Sequence, residues 1–499
     1  VSELEEVADK RPESAAKWRG MLKDAEKADR NYHDKCDNID DLYANLEKLA
    51  KGGTERQMHI FWANLQVLYP AIYSRPPTPI AQPKFKDRKE LPRKAADVLE
   101  RAMVVHVEAD NMHDTLLHAR DDLGISSRGV IWCRLGERDG VPVPIAEHLD
   151  RKDWRCEPAR KWSEVGWVAR QAFMSKAEVK KRFGSVPDDM KFEKRKVGDF
   201  EGEKKAAVWD MWHKEEGKVV WVCEDCEYVL DMQDPYLDLT GFFPCPRPAY
   251  GTLQRGTLTP VPDFVYYRDQ VEEINEITAK IAALQDGVML RGFYAAGNDD
   301  LAAAIESALK DQDKRAILKP LATMALGPGS RVEDMIAWMP VDMLVTAIAA
   351  LIEQRRVLID DVYQITGLSD IMRGATDPDE TLGAQQLKSQ FGSIRVKERQ
   401  MEMQRLARDV IRINAEIMCE EVPIEALLEM SQVDDLPTSA DIAQQAQQIQ
   451  AQAQQAIMGV IQQAMMAMQQ PQMPPEQGQP MPQGQMPPQG APMQPQGPM

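Results

Sequence analysis

A chain of 499 residues is too long for one compact core, so two to four domains are expected. Its 43% hydrophobic and 28% charged composition is that of a soluble protein, and no run of about 18 apolar residues is present to span a membrane. The formal net charge of −18 argues against a surface built to grip phosphate backbones, because that affinity comes from Lys and Arg. It leaves room for a surface that lets nucleic acid pass without holding it.

Residues 1–50 are densely charged, and Val1 to Glu6 lack the basic start and apolar core of a signal peptide. Apolar positions at Leu22, Ala25, Ala28, Ile39, Leu42, Tyr43, Leu46 and Leu49 predict two or more surface helices. Residues 60–69 read as an aromatic-rich helix end with Phe61, Trp62, Leu65 and Leu68. Pro70 and then Ser74-Arg75-Pro76-Pro77-Thr78-Pro79 close it, since proline does not continue a helix and biases its predecessor to extended geometry. Residues 80–85 follow as a short strand or extended arm. Residues 91–123 return to helix, with Ala95, Val98, Leu99, Ala102, Val105, Ala109, Met112 and Leu116 on one face.

From Gly124 the period changes to that of strands. Val130-Ile131-Trp132-Cys133-Arg134-Leu135 reads as a strand, 136–140 as a turn, and Val141-Pro142-Val143-Pro144 as an edge segment. Trp154, 162–172 and 207–213 add short strands, and 176–183 a small helix. Lys218-Val219-Val220-Trp221-Val222-Cys223 faces Glu227-Tyr228-Val229-Leu230 as a hairpin across Glu224-Asp225-Cys226. A stiff apolar exit follows, with Asp234-Pro235-Tyr236 and Phe242-Phe243-Pro244-Cys245-Pro246-Arg247-Pro248.

Two long amphipathic helices come next. In the first, Phe264, Tyr267, Val271, Ile274, Ile277, Ile281, Leu284 and Val288 recur at spacings of three or four, close to a heptad seam. Arg268, Asp269, Glu272, Glu273, Asn275 and Glu276 fill the opposite, acidic face. The second helix begins after Pro340 and carries Leu344, Ile348, Leu351, Leu358, Val362 and Ile365. On periodicity alone the pair is equally an ordinary helical hairpin in a globular core. Between them lies a small α/β lobe with Gly292, Gly297, a short helix at 301–309 and Gly327-Pro328-Gly329. After Thr366 and Gly367 comes a loop over 369–378, then a third long helix to Glu420. That helix holds the most basic run of the chain: Arg395, Lys397, Arg399, Arg405, Arg408 and Arg412. Residues 439–468 are rich in Gln and Ala and permit a helix. Residues 471–499, almost wholly Pro, Gln, Met and Gly, do not bury a core and read as a disordered tail.

Cys223 and Cys226 form a C-x-x-C, with His213 upstream and Cys245 downstream, a set able to hold zinc tetrahedrally. The second close pair of a zinc ribbon is missing, so the two thiols read as incidental to a hairpin and no metal is assigned. No βαβ pattern surrounds them, which disfavours a thioredoxin-like role. The seven scattered cysteines predict no disulfide framework and a reducing compartment. Phosphate-loop, nucleophile-elbow and H-E-x-x-H patterns are absent from the sequence. His59, His106, His113 and His118 read as solvated or core-edge side chains. No carboxylate stands isolated in an apolar stretch as a tuned acid or base would. No catalytic residue and no cofactor are assigned, and the chain is expected not to be an enzyme.

Three stretches carry a resemblance: Tyr69-Pro70-Ala71-Ile72-Tyr73-Ser74-Arg75-Pro76-Pro77, the strand pair around Trp212 and Trp221, and the exit from Asp234-Pro235-Tyr236 to Phe243-Pro244-Cys245-Pro246. Together with the helix–lobe–helix–loop–helix order over 262–420 and the trailing Gln-rich helix, they resemble the portal proteins, or head-to-tail connectors, of short-tailed bacteriophages. The likeness covers nearly the whole chain and is architectural. It implies an α+β, portal-like fold. The divisions would be an N-terminal helical wing region at 1–123, a β-rich wing domain at 124–261, stem helices at 262–290 and 341–366, and a clip lobe at 291–340. A tunnel loop at 367–379, a long wing or crown helix at 380–420, a helical crown at 421–470 and the tail at 471–499 would follow. The resemblance also implies a homo-oligomeric ring of about twelve subunits at one capsid vertex, the channel for DNA packaging and ejection. Its partners would be the major capsid protein, the terminase large subunit, a tail adaptor and double-stranded DNA in transit, with no membrane. Such a ring is assembled in the host cytoplasm and carried in the virion.

A duplex in transit must be guided without being bound. The stem residues Glu272, Glu273 and Glu276 are therefore the candidate channel lining, with basic contacts limited to Arg373 and to Arg395 or Arg399. Each of these also reads as a solvated charge on a helix face. Lys314, Arg315 and Lys319 in the lobe are the candidate contacts for motor or adaptor. The alternatives are another virion structural protein, such as a tail adaptor or scaffold, or a zinc-binding enzyme using Cys223, Cys226, Cys245 and His213. Adaptors are generally much shorter and lack a β-rich domain followed by a helix–lobe–helix unit.

Overall fold

The computed structural model of the chain describes residues 14–44, 56–83, 90–197, 200–287, 292–294, 336–338, 341–368, 382–433 and 439–468. They belong to two units, 1–434 and 435–499. The fold of the first is mixed α and β, and the second contributes one helix.

Helix α1 (Ala16–Ala44) runs unbroken for 29 residues, where the charge pattern predicts two or more surface helices. Trp18, Leu22, Ala25, Tyr32, Cys36 and Ile39 are buried, at spacings of three, four and seven that keep them on one side. Trp18, Leu22 and Ala25 pack on Trp209, Met211, Val220 and Val222 of a β-sheet. The remaining charges of α1 serve as anchors. Asp29 pairs with Arg128 at 2.7 Å, Asp40 with Arg151 at 2.7 Å and Glu26 with Arg155 at 3.3 Å, while Asp37 also holds Arg151.

Helix α2 (Ile60–Ile72) continues past Pro70, contrary to the expected stop. Pro70 sits in the last turn, and the carbonyl it leaves unpaired belongs to Gln66, on the exposed side where water replaces the lost bond. The helix expected over 91–123 is two, α3 (Glu90–Ala109) and α4 (Met112–Ile125). They break at Asn111, whose φ of 50° is a left-handed conformation that asparagine tolerates.

Strands β1 (Arg128–Arg138) and β2 (Val141–Leu149) form a hairpin through Asp139 and Gly140, both with positive φ, as a two-residue loop requires. In the three-stranded sheet β2 is the edge, so its Pro142 and Pro144 cost no ladder bond on the open side. The six-stranded sheet comprises β3 (Trp154–Cys156), β4 (Trp167–Met174), β5 (Glu193–Val197), β6 (Phe200–His213), β7 (Lys218–Cys223) and β8 (Asp231–Gln233), all antiparallel. Helix α5 (Lys176–Phe183) follows β4 behind a capping box of Ser175 and Glu178.

The hairpin expected between 218–223 and 227–230 forms with its second arm shifted to β8, and Leu230 N–H donates to Trp221 O at 2.9 Å just before it. Strand β7 pairs with β6 on one side and β8 on the other. The segment after Cys226 is instead taken up by the start of α1: Ala15 N–H donates to Glu227 O at 2.9 Å, and Ser14 bridges Tyr228.

The exit runs through β9 (Ala249–Tyr250), β10 (Thr252–Leu253), β11 (Pro260–Val261) and a 3-10 turn (Asp263–Tyr266) into α6 (Arg268–Gly287). Short strands β12 (Gly292–Tyr294) and β13 (Ile336–Trp338) pair antiparallel at the neck of the insert. Helix α7 (Val341–Thr366) returns, followed by α8 (Leu382–Glu421) and α9 (Ile424–Ser431). The second unit holds α10 (Ser439–Met468). The helix expected at 301–309, the loop at 369–378 and the tail at 471–499 lie outside the described residues.

Helix α8 enters the main core through Met403, Leu406, Val410, Ile413 and Ile417, alongside Leu116, Trp132 and Trp212. Within this interior His106 of α3 faces Asn414 of α8 at 3.4 Å. Burial, with help from Arg138, lowers the His106 pKa from 6.5 to about 4. The unfolded chain therefore takes up this proton first, so the contribution of neutral His106 is complete above pH 6.5 and is lost as pH falls toward 4. In His106→Gln the stability difference between about pH 7 and about pH 4.5, read from denaturant curves, should shrink by roughly 2 kcal/mol.

Candidate functional site

Helices α6 and α7 pack side by side through complementary stripes. Val271, Ile274, Ile277 and Ile281 are buried on α6. On α7 the half-buried Leu344, Ile348, Leu351, Arg355 and Leu358 lead to buried Val362, at alternating spacings of four and three. Gln354 Nε2 donates to Glu273 Oε1 at 3.2 Å and Arg355 to Thr278 Oγ1 at 3.4 Å, which fixes their register.

The root of the pair is aromatic. Phe61 of α2 lies 4.2 Å, centroid to centroid, from Phe264, which meets Tyr267 edge-on at 5.1 Å. Ile39 of α1 and Val362 of α7 complete the cluster. Beyond the root the pair is less covered: among the described residues of α7 only Val362 is buried. Met343, Val345, Ile352 and Val357 of α7 are 71, 52, 43 and 53% exposed, and Val345 and Ile352, seven apart, share a face. Met343 and Val357, fourteen apart, fall on the opposite flank, so α7, about 39 Å long, carries two separate exposed apolar pairs beyond the root.

The three stem glutamates are exposed on α6. Two of them are compensated within the helix. Arg268 meets Glu272 at 2.6 Å and Lys280 meets Glu276 at 3.4 Å, so positions 268, 272, 276 and 280 form a stripe of balanced charge. Glu273 turns instead to Gln354 on α7. Two of the glutamates are thus paired, while Asp269 and Glu273 add negative charge to the same exposed surface of α6.

Arg399 of α8 is engaged at the root. Its Nη2 reaches Asp263 Oδ2 at 2.8 Å and Thr252 Oγ1 at 3.0 Å, and its guanidinium lies beside Gly251, where a Cβ would come within 2.9 Å of it. This clamp joins α8 to the turn that starts α6. Above it lies a cavity of about 510 Å³, lined by Asn64, Leu68, Tyr267, Ile365, Val396 and Arg399 among others. Asn64 is 5% exposed and its Nδ2 has no protein acceptor. A polar residue on the apolar face of α2 was the sequence signal for this cavity. Arg395 lies on α8 with its side chain outside the described residues, and Arg373, Lys314, Arg315 and Lys319 are outside them altogether.

The zinc set of the alternative reading is dispersed. His213 packs edge-on against Trp18 and accepts from Glu216 N–H, and Cys245 follows Pro244, whose carbonyl bonds Cys133 N–H. Cys223 and Cys226 share a turn of their own. Among the described residues no three His, Cys, Asp or Glu side chains gather as a metal site. Sequence reasoning also missed the arginines that clamp α1, although Asp29, His33, Asp37 and Asp40 fall at helical spacing along one side.

Set against known proteins, the chain matches no protein family and no curated protein. The reading of its function therefore rests on the chain itself.

The Arg399 clamp has a measurable coupling. A double-mutant cycle with Arg399→Ala and Asp263→Ala should return about 1 kcal/mol of interaction, given a charge-assisted contact that is partly open to water. Coupling near zero would show that Arg399 is free for contacts elsewhere.

Proposed function

We propose that the chain is one subunit of a portal-like ring, set at one vertex of a bacteriophage capsid, that conducts double-stranded DNA during packaging and ejection. The carrying observation is the half-covered pair α6 and α7, with Val345 and Ile352 exposed together on one flank of α7 and i,i+4 charge pairs on α6. Apolar side chains exposed on a half-covered helix suit burial by a second copy, and a head-to-tail contact of that kind closes into a ring. A stripe of balanced charge suits a duplex in transit, since it neither grips phosphates as a basic surface would nor repels them strongly.

On this reading α6 and α7 are stem helices, the insert between them is the clip that meets terminase and tail adaptor, and the β-rich region is the wing toward the capsid shell. Lys314, Arg315 and Lys319 are its proposed contacts with motor or adaptor, and Arg373 the proposed contact of the tunnel loop with DNA. Arg399 acts at the base of that loop as a clamp. The second unit, whose α10 exposes Ile449, Ile457, Val460 and Ile461, supplies a crown. The role is structural and channel-forming, with no cofactor.

Negative-stain electron microscopy of the full chain should give rings of roughly twelve-fold symmetry with an open centre wide enough for duplex DNA. Replacing Val345 and Ile352 together by Glu should leave circular dichroism unchanged and abolish the rings. Wild-type chain that stays monomeric, even when expressed with its capsid proteins, would overturn the proposal.

A further inference from the structure

Strand β7 ends at Cys223, and the chain turns at once through Glu224 and Asp225 to Cys226. Cys226 N–H closes that turn onto Cys223 O at 3.2 Å. A four-residue turn of this kind holds its end Cα atoms within about 7 Å, and a disulfide spans about 4.4–6.8 Å. The side chains converge as well. The turn brings the Cys226 thiol and the N–H groups of Asp225 and Cys226 to the neighbourhood of the Cys223 sulfur, where their influence favours its thiolate. The influence of Cys226 is the largest and holds Cys223 below the ordinary thiol range. The pattern sets Cys223 apart from the rest. Hydrogen bonding to Cys223 and burial keep Cys226 protonated, and burial pushes up Cys36, Cys133, Cys156, Cys245 and Cys419.

The turn borders open space on one side: Cys226, though not Cys223, lines a cleft of about 290 Å³ with Phe183, Pro187, Asp189, Tyr228 and Leu230, room for a molecule of peroxide size. Both thiols are almost fully buried, at 2 and 1% exposed, so bulky oxidants are excluded and small ones are favoured.

We propose that Cys223 and Cys226 form a modification site in which a reactive thiol and its resolving partner are oxidised by a hydroperoxide to an intramolecular disulfide. The Cys223 thiolate attacks one peroxide oxygen, the O–O bond breaks, and hydroxide leaves to become water, giving a sulfenic acid at Cys223. The Cys226 sulfur then attacks the Cys223 sulfur, the S–O bond breaks, and a second water departs with the Cys226 proton. Two thiols are oxidised and one peroxide is reduced to two waters. The turn so locked is the anchor of α1. Glu224 Oε1 accepts from Trp209 Nε1 at 2.9 Å and pairs with Arg155 at 2.9 Å, and Glu227 O holds Ala15 N–H at 2.9 Å. The disulfide thus tightens the grip of the sheet on the N-terminal helix, whether or not the chain forms a ring.

The test treats the full chain with graded hydrogen peroxide, quenches, alkylates under denaturing conditions and maps peptides. Exposed Cys419 serves as the internal reference. The expected result is a peptide holding Cys223 and Cys226 that is lighter by two hydrogens and resists alkylation until reduced. In Cys226→Ser the disulfide should vanish and dimedone should label Cys223. Amide exchange over 16–25 should slow severalfold on oxidation and recover with reductant. Free thiols at both positions at a dose that oxidises Cys419 would overturn the site. Dimedone labelling of Cys226 in Cys223→Ser, with none on Cys223 in Cys226→Ser, would overturn the assigned roles. Equal exchange in both redox states would overturn the anchoring.

Discussion

The contact on which the rest of the first unit depends is Phe264 against Phe61, 4.2 Å apart, with Tyr267 edge-on beside them. Here four segments distant in sequence converge: Ile39 on α1, Phe61 and Leu65 on α2, Val271 on α6 and Val362 on α7. Aromatic pairs add about 0.5–1.5 kcal/mol beyond the area they bury. Their larger effect is directional. The 3-10 turn that carries Phe264 is held on its other side by Arg399 and Thr252 through Asp263. With that turn fixed from both sides, α6 leaves the body of the protein at one angle, and α7 follows it through a shared seam.

A second constraint is the burial of arginine. Arg128 is 2% exposed, packs on the rings of Tyr32 and Trp154, and answers to Asp29. A buried ion pair is weak support for net stability, since desolvating both charges offsets most of their attraction. Its value here is registration. A slip of α1 by one turn would leave Arg128, Arg151 and Arg155 facing apolar positions, and a buried guanidinium without its carboxylate is strongly unfavourable. Trp18, Leu22 and Ala25 alone would tolerate such a slip far better, since apolar packing is not directional.

The parts of the fold that sequence foretold are those decided locally. Alternating spacings of three and four marked α7 to its ends and the body of α6, whose expected first turn with Phe264 is a 3-10 turn. The turn expected over 136–140 narrows to Asp139-Gly140, because 136–138 pair in β1. The failures have non-local causes. Helix α1 looked like a surface element because its charges outnumber its apolar stripe, and the arginines that answer them lie about a hundred residues onward. The strand expected at 227–230 begins only at Asp231, because the start of α1 claims Glu227 and Tyr228. At the candidate site, the pairing of Glu272 with Arg268 and of Glu276 with Lys280 was written in spacings of four. Arg399 was not readable in the same way, since its partner Asp263 is 136 residues away.

The two long helices differ in what they expose. On α6 the exposed positions are charged, with Arg268–Glu272 and Lys280–Glu276 paired along the helix beside Asp269 and Glu273. On α7 the exposed positions include Met343, Val345, Ile352 and Val357, which gain nothing from water. If both outer faces met solvent alone, polar residues would serve equally well at each. On the proposed reading Val345 and Ile352 would meet a neighbouring copy, while the charged positions of both helices would face water. The aromatic root holds both faces in fixed orientation to the sheet, so successive copies would present the same flank at the same angle. That regularity is what a closed ring demands of its subunit.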